Sequence, residues 1–120
     1  MPFISIDGDD IGRRIAAYYL TNDPSGLSAF AEAVHDNVRR ITKILAIGGH
    51  RIIFSAADGV VAEILEDLDT VALYQQIADT GASNITFSAG IGNTLRESYV
   101  ALLAAKSRGK ARLYHYADIG

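Results

Sequence analysis

The sequence predicts an α+β fold, a mixed β-sheet with helices packed on one face, in the order βαββαβαβ. Three observations lead there. Short apolar runs of strand length, "FISI" (3–6) and "NITFSAGIG" (84–92), are set off by turn-forming or polar residues. Longer segments between them carry apolar residues at helical spacing. One pair of apolar runs meets at Asp58-Gly59, a dipeptide that marks a hairpin between β-rich segments.

The elements follow in chain order. "FISI" reads as a short buried strand that runs straight into Asp7. "IGRRIAAYYL" (11–20) is helical, and "TNDPSG" (21–26) breaks or kinks it. From 27 to 47 the stripe Leu27, Phe30, Ala31, Val34, Val38, Ile41 and Leu45 is helical, with Arg39, Arg40 and Lys43 off it. Gly48-Gly49 is a C-terminal stop. Residues 50–65 form the hairpin, 69–80 a helix and 84–92 a strand. The helix 94–109 starts at Thr94 as N-cap, has Glu97 in the capping-box position, and stops at Gly109. "ARLYHY" (111–116) is the last strand. This order suits a ferredoxin-like arrangement, in which the first strand lies beside the central hairpin and Asp7 comes close to Asp58.

A chain of 120 residues suffices for one domain, here 1–120, with 49% hydrophobic and 21% charged residues. There is no cysteine, hence no disulfide and no thiolate metal site. A cytoplasmic location is expected: no basic-then-apolar leader opens the chain, and no apolar run is long enough to span a membrane. The net charge of −3 disfavours a grip on long nucleic acid. A small anionic ligand held through a metal or local lysines remains compatible with it.

Asp7, Asp9 and Asp10 follow a buried strand, and Asp58 is expected next to them. Carboxylates gathered at adjacent strand ends raise one another's pKa. A divalent cation removes the repulsion, and Mg²⁺ (or Mn²⁺) is commonly held by one or two carboxylates plus substrate phosphates. Asp7 and Asp58 suit that role, with Asp9 as a further ligand or a local field. A local explanation also exists: Asp9 and Asp10 as cap and first-turn acids of the helix at Ile11, and Asp58 as a turn residue. The basic run "AAKSRGKAR" (104–112) holds Lys106, Arg108, Lys110 and Arg112. It either complements the helix dipole or forms a phosphate clamp opposite the acids, with Lys106 directed back toward the sheet. "GIGNT" (90–94) lacks the third glycine of a dinucleotide fingerprint. His35, His50 and His115 have no metal-ligand spacing and read as structural or surface residues.

Taken together, "FISIDGDDIG", "IIFSAADGVV", "ITFSAGIG" and "YVALLAAKSRGK" resemble the palm-type nucleotidyl cyclases. That group includes the GGDEF diguanylate cyclases and the polymerase/cyclase subunit of type III CRISPR systems. A palm this small, with D-G-D-D-I-G on its first strand, is most similar to the minimal CRISPR polymerase family. The resemblance implies a palm fold and Mg²⁺-dependent joining of NTPs into a cyclic di- or oligonucleotide messenger, in antiviral defence. It implies Asp7 and Asp58 as catalytic metal ligands, with the Gly8 carbonyl and Asp9 also at the metal. It implies Lys106 as the triphosphate lysine, with Arg108, Lys110, Asp10 and Gly59 around the nucleotide. Two departures stand out. Ala56 and Ala57 replace hairpin glycines, and Gly59 replaces the second acid. The guanine-reading position falls near Ile15, which points to ATP over GTP. The alternative reading is a degenerate palm that binds nucleotide as a sensor or regulatory module. Joining two NTPs calls for two facing sites, so a homodimer is expected, forming when nucleotide binds, with Tyr18-Tyr19-Leu20 as a contact surface.

Overall fold

The computed structural model describes residues 1–82 and 84–119. Five strands form one sheet: β1 (Phe3–Gly8), β2 (Arg51–Ala56), β3 (Gly59–Glu63), β4 (Phe87–Gly92) and β5 (Leu113–His115). Their spatial order is β2-β3-β1-β4-β5. The β4–β5 pair is parallel and the other three are antiparallel. The helices are α1 (Ile11–Leu20), α2 (Pro24–Ile47), α3 (Thr70–Ala78) and α4 (Leu95–Ser107). The mixed α+β sheet expected from the sequence is the sheet observed, and "TNDPSG" does break the first helical region in two. The break is built by Asp23, whose carboxylate accepts from the Gly26 N–H at 2.9 Å, and by Pro24 in the first turn of α2.

The helices occupy both faces of the sheet, not one. Side chains alternate along a strand. In β1, Ile4 and Ile6 join a core with Phe30, Val34, Val38, Ile41 and Leu45 of α2 and Leu73 and Ile77 of α3. Ser5 points the other way and hydrogen-bonds Ser98 of α4 at 2.8 Å. The same alternation in β4 puts Ala89 and Ile91 in the core and Gly90 and Gly92 under α4. A Cβ on Gly90 would lie 2.1 Å from the Leu102 nitrogen, and one on Gly92 would lie 2.4 Å from Glu97 Cβ. So the G-x-G of "GIGNT" is a packing device that lets a helix backbone lie on a strand. The capping box at the head of α4 is present. Thr94 Oγ1 accepts from the Glu97 N–H, and Glu97 accepts from the N–H of Asn93, one residue ahead of the cap.

The hairpin turn is one residue earlier than Asp-Gly suggests. Ala56 pairs with Gly59, so the two-residue loop is Ala57-Asp58. Ala57 takes the positive φ of 51° and Gly59 begins β3. Among the described residues, no helix is long and apolar enough to cross a membrane.

Candidate functional site

The site lies where β1 ends. Asp7 is paired with Gly59 on one side and with Ser88 on the other. The Gly8 N–H donates to the Asp58 carbonyl at 2.9 Å, which fixes the hairpin tip against the end of β1. The two acids expected to meet therefore do: Asp58 stands close enough for its charge to act on the Asp7 carboxyl. Burial pushes the Asp7 pKa above its ordinary value and the Asp58 charge adds to this, outweighing the opposing pull of Lys106. Asp7 Oδ2 is 3.2 Å from Lys106 Nζ. A Cβ on residue 59 would stand 3.3 Å from the Ile6 carbonyl oxygen and in ordinary contact, 3.4 Å, with Asp7 Oδ1.

Asp9 is placed differently from the expected metal ligand. It is 4% exposed, and protein donors take both of its oxygens. Oδ1 accepts from Ser88 Oγ (2.6 Å) and Lys106 (3.2 Å), and Oδ2 from Thr86 Oγ1 (2.8 Å) and the Ala111 N–H (3.0 Å). A carboxylate has about four acceptor positions, and in this structure protein donors fill them. Burial pushes its pKa up, but the hydrogen bonds from Ser88, Thr86, Ala111 and Lys106 prevail and hold it below the ordinary value. Asp9 ties β1 to β4 and to the segment after α4. Thr86, Ser88 and the Ala111 N–H were not singled out from sequence. The polar T-x-S alternation entering an otherwise apolar strand was the available signal.

Asp10 stands at the N-cap of α1 in the left-handed region (φ 59°) and makes no side-chain cap bond. Its carboxylate is ion-paired with Lys110 and lies 3.3 Å from Arg13. The hydrogen bond from Lys110 holds its pKa down. Lys110 is thereby engaged by an acid, and the Arg108 guanidinium lies over the Tyr114 ring, 5.5 Å from its centre.

Lys106 does reach back to the sheet, but into the acids rather than opposite them. Its ammonium donates to the Gly8 carbonyl at 2.9 Å and lies 3.2 Å from both Asp7 and Asp9. Burial pulls its pKa down, yet Asp7 and Asp9 more than offset this and leave it raised.

The donor set fits a divalent cation of a particular kind. Among the described residues, no three Asp, Glu, His or Cys side chains gather into a metal cage. Asp7, Asp58 and the Gly8 carbonyl are hard oxygen donors at one spot. That is the set Mg²⁺ uses when substrate phosphates and water complete its shell.

Two apolar hollows flank the pair. One, about 560 Å³, runs from Asp58 along Ile11, Ile15, Val34 and His35. The other, about 390 Å³, runs from Asp7 along Ile53, Phe54, Tyr99 and Leu102 on the α4 face. His50 and His115 are structural, as expected. His50 Nδ1 accepts from the Leu65 N–H and His115 meets Thr70. His35 is exposed at the first hollow. Tyr18 packs on Phe30, with ring centres 5.7 Å apart, and Tyr19 is exposed.

A five-stranded mixed sheet with acids at the end of β1 and at the hairpin tip is a palm-like arrangement. The sequence profile of the minimal CRISPR polymerase domain matches residues 3–116, and the chain belongs to that family. Solved structures show the same fold at low identity. An EAL/GGDEF domain protein from M. capsulatus aligns with a TM-score of 0.68 and 21% identity, over 96% of this chain and 83% of that one. The GGDEF domain of DgcB from Caulobacter crescentus, solved with c-di-GMP, gives 0.67 and 14%, over 98% and 78%. The GGDEF domain of YfiN from Pseudomonas aeruginosa gives 0.70 and 14%, over 96% and 76%. No curated protein sequence matches the chain.

Proposed function

We propose that this protein is a divalent-metal-dependent nucleotidyltransferase that joins NTPs, ATP in preference to GTP, into a cyclic di- or oligonucleotide signal for antiviral defence. The observation that carries the reading is the Asp7–Asp58 pair. These two acids repel each other at the meeting of two strands, with the Gly8 carbonyl beside them. A fold tolerates such a pair where a ligand relieves it. Family membership and the palm-like fold support the reaction class.

Asp7, Asp58 and the Gly8 carbonyl would hold the cation, and Mg²⁺ or Mn²⁺ bound there would neutralise charge on the phosphates and acidify a hydroxyl. The chain's own part follows from its geometry. A ribose hydroxyl of one nucleotide attacks the α-phosphorus of another. The new O–P bond forms, the bond to pyrophosphate breaks, and the hydroxyl proton passes to a carboxylate. Asp7 suits that acceptor role by its place at the end of β1, beside Asp58. The apolar walls of the hollow beside Asp58 suit a nucleobase, and Ile15 offers nothing to read the polar edge of guanine.

The acceptor nucleotide is presented by a second copy of this chain. The hollow that starts at Asp7 is the surface for it, because it joins the site directly and carries Phe54 and Tyr99 at 52% and 57% exposure. Long nucleic acid and membrane are not partners in this reading.

Incubation with each NTP and Mg²⁺ or Mn²⁺, followed by mass spectrometry for cyclic products, tests the activity. Sedimentation with and without a non-hydrolysable NTP tests the dimer. One observation favours the second reading, a nucleotide-binding module without turnover: Gly59 leaves the hairpin with a single acid. Tight nucleotide binding with no product under any metal would establish it.

A further inference from the structure

Lys106 stands where a cation is wanted. All three of its ammonium protons are engaged, by the Gly8 carbonyl, Asp7 Oδ2 and Asp9 Oδ1. The side chain arrives from the last turn of α4, 98 residues away in sequence from Gly8. Two of its three partners, Asp7 and the Gly8 carbonyl, are the oxygens assigned above to the metal. An ammonium and a dication within bonding distance of the same oxygens repel strongly in a half-buried site. Both cannot be there at once.

We infer that Lys106 is an exchangeable plug. In the nucleotide-free protein it neutralises Asp7 and keeps the divalent cation out. It leaves only when a triphosphate offers the ammonium a better anionic partner, so metal and nucleotide enter together and metal alone binds poorly. The inference deepens the proposed function and rests on it for the identity of the triphosphate.

Three features make the exchange feasible. Asp9 keeps Ser88, Thr86 and the Ala111 N–H when the lysine departs, so no buried carboxylate is stranded. Asp7 and Gly8 regain a positive partner in the metal. The lysine stem is flexible and its side chain is already 23% exposed, so solvent reaches it. The neighbouring cations do not share the position. Lys110 is paired with Asp10 and Arg108 lies over Tyr114.

The test is a titration of Mn²⁺ alone, without nucleotide, into wild type, K106M and K110M, with free Mn²⁺ followed by electron paramagnetic resonance. K106M is expected to bind Mn²⁺ at least about tenfold more tightly than wild type, and K110M to change less than about threefold, because only Lys106 touches the metal's oxygens. K106M is also expected to bind a non-hydrolysable ATP analogue more weakly. Equal Mn²⁺ affinity in K106M and wild type overturns the plug, and so does an equal gain in K106M and K110M, which would be a general field effect. If K106M does not fold, the lysine ammonium signal of the wild type decides by NMR. It should shift on adding Mg²⁺ with the analogue and stay unmoved on Mg²⁺ alone. A protein that neither binds the analogue nor makes product defeats the functional reading, while the Mn²⁺ comparison still decides whether Lys106 excludes the metal.

Discussion

Asp7 and Asp9 flank Gly8, share one side chain, and sit in opposite chemical states. Asp9, on the side of the α4–β5 connection, has four donors on its two oxygens, and its pKa is lowered. Asp7, on the hairpin side, has Lys106 on one oxygen and another acid beside it, and its pKa is raised. The contrast teaches how to sort acids in a site. A carboxylate whose acceptor positions are all filled holds the fold together. One left short of donors and pressed against a like charge is held for something that arrives later.

The sharpest way to break the comparison is through activity. Asp7→Asn and Asp58→Asn should each reduce cyclic product at least about a thousandfold, because each removes a metal ligand. Product close to wild-type level in both, measured by mass spectrometry, would reduce the pair to a turn and a strand end. The next largest effect is on stability and falls on the other acid. Asp9→Ala should cost about 3 kcal/mol in urea unfolding at neutral pH, since it strands Ser88, Thr86 and the Ala111 N–H. Asp7→Asn should leave stability equal or higher, by up to about 1 kcal/mol. If Asp7→Asn proves as damaging as Asp9→Ala, the two acids are not different in kind.

The pH dependence sharpens the same point. Asp7 has its folded-state pKa raised above 3.8, so the folded state holds that proton more tightly than the unfolded chain does. The stability this confers is lost as pH rises through the raised value. The advantage of Asp7→Asn over wild type should therefore grow as pH climbs above 3.8. Asp9 is lowered from 3.8, so its contribution is present above that value and is lost as pH falls below it. Unfolding curves of the two variants against pH should move in opposite senses. The smallest effect concerns the hairpin tip. Ala57 sits at φ 51°, where a Cβ is strained, and Ala57→Gly should raise stability by about 0.5 kcal/mol once the entropy of the unfolded chain is subtracted. A loss on that substitution would mean that the alanine side chain packs usefully beside Asp58.

Much of this was legible in the sequence, where periodicity rules. The α2 stripe, the Thr94 cap and the neighbourhood of β1 and the hairpin all follow from spacing. The turn register did not, because Asp58-Gly59 is a stronger written signal than Ala57-Asp58, and alanine in a positive-φ position has no propensity to announce it. The second helical face rests on Gly90 and Gly92. Spacing alone does not show it, because a G-x-G that lacks the third glycine of a dinucleotide fingerprint carries no written sign of the helix that lies on it. The difference between Asp7 and Asp9 was invisible for a simple reason. The strand ends at Gly8, and past that point a two-residue step no longer means the same face.

The seat under α4 has a consequence for tolerance. Ser98, Leu102 and Lys106 follow one another at four-residue intervals along the helix. The glycines of β4 meet the first half of this row, and the charge works at its far end, about 12 Å along the axis. A side chain forced in at position 90 would lift or roll the rod, and a roll of one residue is a turn of about 100°. Such a change touches no acid and no phosphate, yet it takes the ammonium out of the site. Two hydrogen atoms, in place of methyl groups, thus act as a locating pin, and the precision of the charged end is set at the opposite end of the helix.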